Sequence, residues 1–416
     1  MPRQQAAPPR AAVPASTPDT ETADTETLDT DTADAKAAVA EAAGSGASDG
    51  KAADARPAGP AGRPVEAPGA ASVAATAALL RRAHRSARRR TAFLVAALVT
   101  VLIGLLLASV LLGGLRNIPA SDVLPAAFGQ RTGLADYVIH RIRMPRALAA
   151  LLAGALFGLS GALYQRLIRN PLATPDIVGI SAGAGAGAVT VLILAPAIPY
   201  GVEGAALAGS FLLVGAVLLL SRRGGRVDTF RLVLIGIGMA AVCTAYVNYL
   251  FSMAGQHSIA QVTRWLVGSV SGVTWDGVTT LAVAFAVCAL CAAPLGRALG
   301  AMSLGDQLAA GLGTRVSAAR TAALLLGAAA AAMATSVTGP IGFVSLVSGP
   351  IAVRLVGAER ALLLAAPIGA VIVLGSDVLA QHGPLISPVP TGVLTALIGA
   401  PYFVWLILRR RQGASS

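Results

Sequence analysis

The sequence predicts an all-α membrane protein, a bundle of about ten transmembrane helices behind a disordered N-terminal tail. Three observations carry this. Only 12% of the 416 residues are charged while 55% are hydrophobic, against about 25% charged in soluble domains. Uncharged apolar runs recur from residue 91 to the C-terminus. Arginines gather between those runs, mostly at alternate loops, as the bias of cytoplasmic loops toward basic residues requires.

Residues 1–80 are rich in Ala, Pro, Thr, Asp and Gly and carry 11 Asp and Glu against 6 Lys and Arg. A segment with so few large apolar side chains cannot offset the entropy of ordering its chain, so a disordered tail is expected there. The rest of the chain has 9 acidic and 26 basic residues, and no lysine follows Lys51. Residues 81–90 form a basic juxtamembrane segment with Arg81, Arg82, Arg85, Arg88, Arg89 and Arg90. The membrane domain, 91–411, opens with TAFLVAALVTVLIGLLLASVLLGGL. At about 1.5 Å per residue this run exceeds the ~30 Å of a bilayer core. The basic block ahead of it places the N-terminus in the cytoplasm.

Further spans are expected at 147–167, 177–195, 205–221, 231–253, 277–297, 317–337, 341–356, 361–380 and 391–409. The 341–356 run is short and holds Gly349-Pro350, so a broken or re-entrant helix is expected. Ten crossings return the C-terminus to the cytoplasm, in keeping with Arg409, Arg410 and Arg411. Arg222, Arg223 and Arg226, then Arg297 and Arg315, then Arg354 and Arg360 all fall at loops expected inside. One loop dissents: 115–146 is expected outside yet carries Arg116, Arg131, Arg141, Arg143 and Arg146. Gly154, Gly158 and Gly161 on one span, and Gly179, Gly183 and Gly187 on the next, give faces on which helix backbones can approach closely.

The residues exclude several chemistries. A P-loop needs GxxxxGK[ST], and the membrane domain has no lysine, so ATP is not hydrolysed here in that way. The four histidines, His84, His140, His257 and His382, show no metal-ligand spacing; no metal site, bound cofactor or catalytic residue is expected. Cys288 and Cys291 form a CxxC inside an apolar run and read as small buried residues, since redox motifs need polar access. The basic balance follows from topology, with no aromatic–basic surface for nucleic acid. Asp377 stands out near the outer end of the ninth span, and an intramembrane carboxylate is a functional suspect or a solvated helix end. No relay of buried charges accompanies it, which speaks against a proton-coupled carrier.

Two loops remain. Asn170-Pro171-Leu172 joins the second and third spans through a turn in which Pro171 and Pro175 end helical paths. The stretch SLGDQLAAGLG, residues 303–313, is a short amphipathic segment expected on the cytoplasmic side. Its Leu304, Leu308 and Leu312 recur every fourth residue, and Gly313 suits a helix C-cap. It could seat on a soluble partner or lie on the membrane surface.

These loops, together with RMPR at 143–146, GLSGALYQRLIRNPLATPDIVGISAGA, GPIGFVSL at 339–346 and PTGVLTALIGAPYFVWLI at 390–407, resemble the FecCD family, the permeases of iron–siderophore and cobalamin ABC importers. The resemblance spans about residues 90–410. It implies the ABC type II importer permease fold and transport of ferric siderophores by alternating access, with cobalamin or haem as the alternative cargo. It implies a second permease subunit, two ATP-binding subunits that hold ATP and magnesium, and an extracytoplasmic substrate-binding protein. Gly305, Asp306, Ala309, Leu312 and Gly313 would then contact the ATPase, Asn170, Pro171 and Leu172 would close the cytoplasmic mouth, and Arg143 and Arg146 would receive acidic groups of the binding protein. The chain departs from the family pattern at GPIAVR, 349–354, at Gln381 where an Arg is usual, and in lacking a Glu before Pro390.

Overall fold

The computed structural model describes residues 70–112, 125, 133–223, 226–382 and 389–413. The tail over 1–69, with Arg116 and Arg131, lies outside them. Among the described residues twelve α-helices follow in order, with a 3-10 turn Pro175–Val178 ahead of the third: α1 Ala70–Leu112, α2 Leu134–Ile168, α3 Ile180–Leu194, α4 Gly201–Leu220, α5 Thr229–Met253, α6 Gln256–Val267, α7 Trp275–Met302, α8 Asp306–Gly311, α9 Val316–Thr338, α10 Val344–Val356, α11 Ala361–His382 and α12 Thr391–Gly413. Seven are long and apolar enough to cross a membrane, and α3, α10 and α12 are the shorter apolar ones; together they match the expected spans. Among the described residues the β-structure is one two-residue hairpin, β1 Arg222–Arg223 with β2 Arg226–Val227. Asp228 caps the helix that follows, its carboxylate accepting from Phe230 N (2.9 Å) and Arg231 N (3.2 Å).

Three findings differ from the sequence reading. Helix α1 begins at Ala70 and runs unbroken through the arginine cluster, so residues 70–80 are helical and not tail. AASVAATAALL is rich in strong helix formers. The residues between the fifth and sixth spans fold as α6, which docks Val262 and Leu266 on Val189 and Val247. Their spacing with Ile259 is a helical period within an otherwise polar stretch. Finally, α10 is continuous despite Pro350. Proline cannot bond the carbonyl four residues back, here that of Leu346. Gln165 of α2 supplies the donor instead, its Nε2 reaching the Ser345 and Leu346 carbonyls at 3.0 Å each.

Helix α2 is the hub. It is 83% buried over its most apolar stretch, against 17% for α5 and 6% for α1, and it packs on α7, α9, α10 and α11. The glycines decide how closely. A Cβ at Gly154 or Gly158 would overlap α11 backbone at Gly369 and Ala365, and one at Gly161 would overlap Ser345 of α10. The second stripe works alike, with Gly183 and Gly187 lying on Gly209 and Ala205 of α4. Without a hydrophobic drive between helices in lipid, such close backbone packing is the main source of cohesion. Polar ties supplement it: Ser160 Oγ donates to Gly327 O (2.6 Å) and Tyr164 Oη to Leu324 O (3.3 Å), fastening α2 to α9.

Candidate functional site

Polar residues concentrate at the two ends of the bundle. At one end, α2 opens with one α-helical turn, Leu134–Tyr137, and then a π-helical segment, Val138–Arg143, ahead of Pro145. The wider turn leaves the His140 carbonyl open, and it accepts from Trp275 Nε1 at 2.8 Å. Arg143 and Arg146 follow on the same helix, and both are buried, at 6% and 7% exposure. Arg143 Nη1 donates to Val110 O (2.8 Å), near the end of α1, where a helix terminus favours a cation. Arg146 forms a two-pronged ion pair with Asp377 of α11, Nε to Oδ2 at 3.0 Å and Nη2 to Oδ1 at 2.9 Å. Gln381 Nε2 (2.7 Å) and Thr391 Oγ1 (3.0 Å) complete the carboxylate's shell.

This changes the reading of three residues. Asp377 is fully buried and paired, not a solvated helix end. Arg146 does not stand open to a partner, because two of its nitrogens are committed within the chain. Gln381 serves Asp377 as a neutral donor from the same helix.

At the opposite end, α8 holds the segment expected to couple. It is a six-residue helix, Asp306–Gly311, closed by a Schellman turn: Thr314 N donates to Ala309 O and Gly313 N to Ala310 O, both at 2.9 Å. Gly313 has φ +82°, the left-handed position at which glycine carries no penalty. Leu304, Leu308 and Leu312 are 62%, 63% and 68% exposed. Ala309 is fully buried against the core, so it presents no contact surface; Leu308 occupies the outward position instead. Asp306 accepts from Arg320 Nη2 (2.8 Å) and Arg169 Nη2 (3.2 Å).

Arg169 is the residue that the sequence did not single out. It ends α2 in a left-handed conformation, φ 56°, and also donates to the carbonyl of Met302, the last residue of α7. The next three residues are Asn170, Pro171 and Leu172. Asn170 Oδ1 accepts from Leu172 N at 3.0 Å, an Asx turn that reverses the chain. The turn and the short helix are thus fastened together through one guanidinium.

A many-span helical bundle of this build, with a short helix held outside the spans beside a rigid inter-span turn, is the architecture of a transport permease. The chain belongs to the FecCD transport family, which it matches over residues 72–409. The ferric enterobactin transport system permease protein FepG of Escherichia coli K12 is 34% identical over 303 residues, covering 73% of this chain and 92% of FepG. The vitamin B12 import system permease protein BtuC of Klebsiella pneumoniae is 34% identical, covering 66% and 83%. An inward-facing structure of a putative metal-chelate type ABC transporter superposes with a TM-score of 0.65 at 26% identity, covering 75% of this chain and 97% of that one.

Proposed function

We propose that this chain is the permease subunit of an ABC importer that carries ferric siderophores across the cytoplasmic membrane. Two permease subunits, this one with itself or with a homologue, enclose the pathway. Two ATP-binding subunits hold ATP and magnesium, and a substrate-binding protein delivers the chelate from outside. The observation that carries the reading is the Asp306–Gly311 helix. Its leucine stripe faces away from the bundle, while Asp306 and Arg169 tie it to the Asn170 turn. A movement imposed on the leucines by an ATPase is transmitted to the turn without passing through flexible chain.

The N- and C-termini, the Asn170 turn and α8 belong on the cytoplasmic side in this reading, and the Arg146–Asp377 pair on the outer side. Docking of the binding protein falls at the Arg143 and Arg146 end. An acidic side chain reaching Arg146 competes with Asp377 for it. Charge pairs of this kind steer encounter and set register more than they add affinity. Ferric chelates are the favoured cargo because relatives named for ferric enterobactin, ferric citrate and ferric hydroxamate import predominate. Haem and cobalamin, for which two other relatives are named, form the second class.

The test is reconstitution of the chain with its ATPase and binding protein in proteoliposomes. ATP-dependent uptake of a ferric siderophore, insensitive to collapse of a proton gradient, is expected. Gradient-driven uptake without ATP would overturn the reading. Labelling of cysteines introduced at 304 and 308 in intact cells tests the orientation, and reaction with an impermeant outer reagent would refute it.

A further inference from the structure

We infer that the bundle holds a site for an anionic glycerophospholipid between α2, α10, α11 and α12, at the end that carries α8. A cavity of about 530 Å³ opens there. Three of its lining residues are arginines, Arg166, Arg169 and Arg354, and no carboxylate lines it. Apart from Gln165, the rest of the wall is small or apolar, with Ala162, Gly349, Pro350, Val353 and Leu406 among it. A soluble anion site would not need such walls, and an apolar ligand site would not gather three guanidinium groups.

The neighbouring cavity, about 700 Å³, shares Arg166 and Leu362 with the first. It runs between α2, α7 and α11 over Leu159, Phe285, Ala289, Ala292, Leu363 and Ala366, with Arg297 and Glu359 also on its wall. A cationic chamber beside a mainly apolar groove has the two halves that a phospholipid needs, one for the phosphate and one for an acyl chain. Basic pockets between transmembrane helices on the cytoplasmic side are a recognised form of headgroup site. Depth agrees. The guanidinium of Arg354 lies 4.3 Å above the Trp405 ring, and Tyr402 is next to that ring. Tryptophan and tyrosine concentrate at the level of the headgroups, so the arginines sit where a lipid phosphate would be.

Charge is what selects the lipid. Arg169 already has a partner in Asp306, whereas Arg166 donates to the Glu359 carbonyl at 3.4 Å with the Glu359 carboxylate close enough to act on it, and Arg354 has the ring face. An anionic headgroup gains these two guanidinium groups. A zwitterionic headgroup brings its own ammonium into the same chamber and gains less. The site rests on membrane embedding and on the cytoplasmic placement of this end proposed above, and holds whatever the cargo proves to be.

The experiment is native mass spectrometry of the full chain from nanodiscs containing equal phosphatidylglycerol and phosphatidylcholine. The wild type should retain phosphatidylglycerol about tenfold over phosphatidylcholine, and Arg166→Gln with Arg354→Gln should lose that preference while phosphatidylcholine retention stays as it was. A Leu363→Ala control on the groove wall keeps all the charges; it should lower retention of both lipids alike. Equal retention of the two lipids by the wild type would overturn the site, as would an unchanged preference in the double variant. Displacement of phosphatidylglycerol by millimolar glycerol 3-phosphate would reassign the chamber to a soluble anion. If the double variant keeps its lipid and instead releases the ATPase subunit, the arginines serve a protein carboxylate and the lipid reading fails.

Discussion

Arg146 and Asp377, 231 residues apart, meet as a two-pronged ion pair that is at most 8% exposed and that joins α2 to α11. Buried charges of this kind are retained when each leaves the other no alternative partner, and removing one strands its mate. Truncation of one partner of a buried pair costs about 3–5 kcal/mol. We expect Asp377→Ala to lower the yield of folded protein and its thermal midpoint. Arg146→Met combined with Asp377→Leu should recover most of the loss. A double mutant no more stable than either single one would show that the pair contributes by packing alone.

The same pair decides which substitution can report on docking. Reversing Arg146 to Glu would place two carboxylates together in a buried site, so it would unfold the region before it reported on docking. Arg143→Glu likewise breaks a bond, to the Val110 carbonyl, in a buried site. The informative variant is Asp377→Asn, which keeps the shape and frees Arg146. It should tighten association with the binding protein about threefold to tenfold at low salt and less so at high salt, because the long-range attraction of an acidic partner to the freed charge is screened. Weaker or unchanged association would mean that Arg146 takes no part in docking.

Asp306 is held from two sides, by Arg169 of α2 and Arg320 of α9. Its carboxylate is 46% exposed, so each exposed pair contributes ~0–1 kcal/mol. Asp306→Asn should therefore leave folding nearly unchanged. Its expected effect is on transmission: ATPase turnover in the reconstituted complex persists while ATP-driven uptake falls several-fold. Arg169→Gln should behave alike, since it cuts the tie to the Asn170 turn, and Leu308→Glu should instead lower ATPase association. Wild-type uptake in both Asp306→Asn and Arg169→Gln would remove the tie from the mechanism.

The spans were legible because lipid imposes one simple demand, an uncharged run of sufficient length, and each run states it locally. The glycine faces of α2 and α3 were legible for the same reason, as was Gly313 closing α8. What was not legible depends on residues distant in the chain. Nothing around Asp377 announces Arg146, and nothing around Arg169 announces Asp306. The sequence suggested a broken helix at Gly349-Pro350 because proline removes a donor. It could not show that Gln165, 181 residues from Leu346, returns one. Helix α6 was missed although its apolar residues have a helical period, because the run is too short and too polar to be read as a span.

Gln165 therefore offers the sharpest test of how α10 stays whole. Its Nε2 serves the Ser345 and Leu346 carbonyls, and its Oε1 lies against Gly349, where a Cβ could not fit. The residue is 8% exposed, so water cannot replace it freely. Gln165→Leu keeps the bulk and removes the donor, leaving the Leu346 carbonyl unsatisfied at a cost of about 1–3 kcal/mol. Pro350→Ala restores the backbone N–H that proline lacks, so it should offset much of that loss in the double variant while changing little alone. Thermal unfolding in detergent reads all four proteins. If Pro350→Ala fails to rescue Gln165→Leu, the glutamine is not substituting for the missing backbone donor, and the continuity of α10 must rest on its packing against α2 and α11.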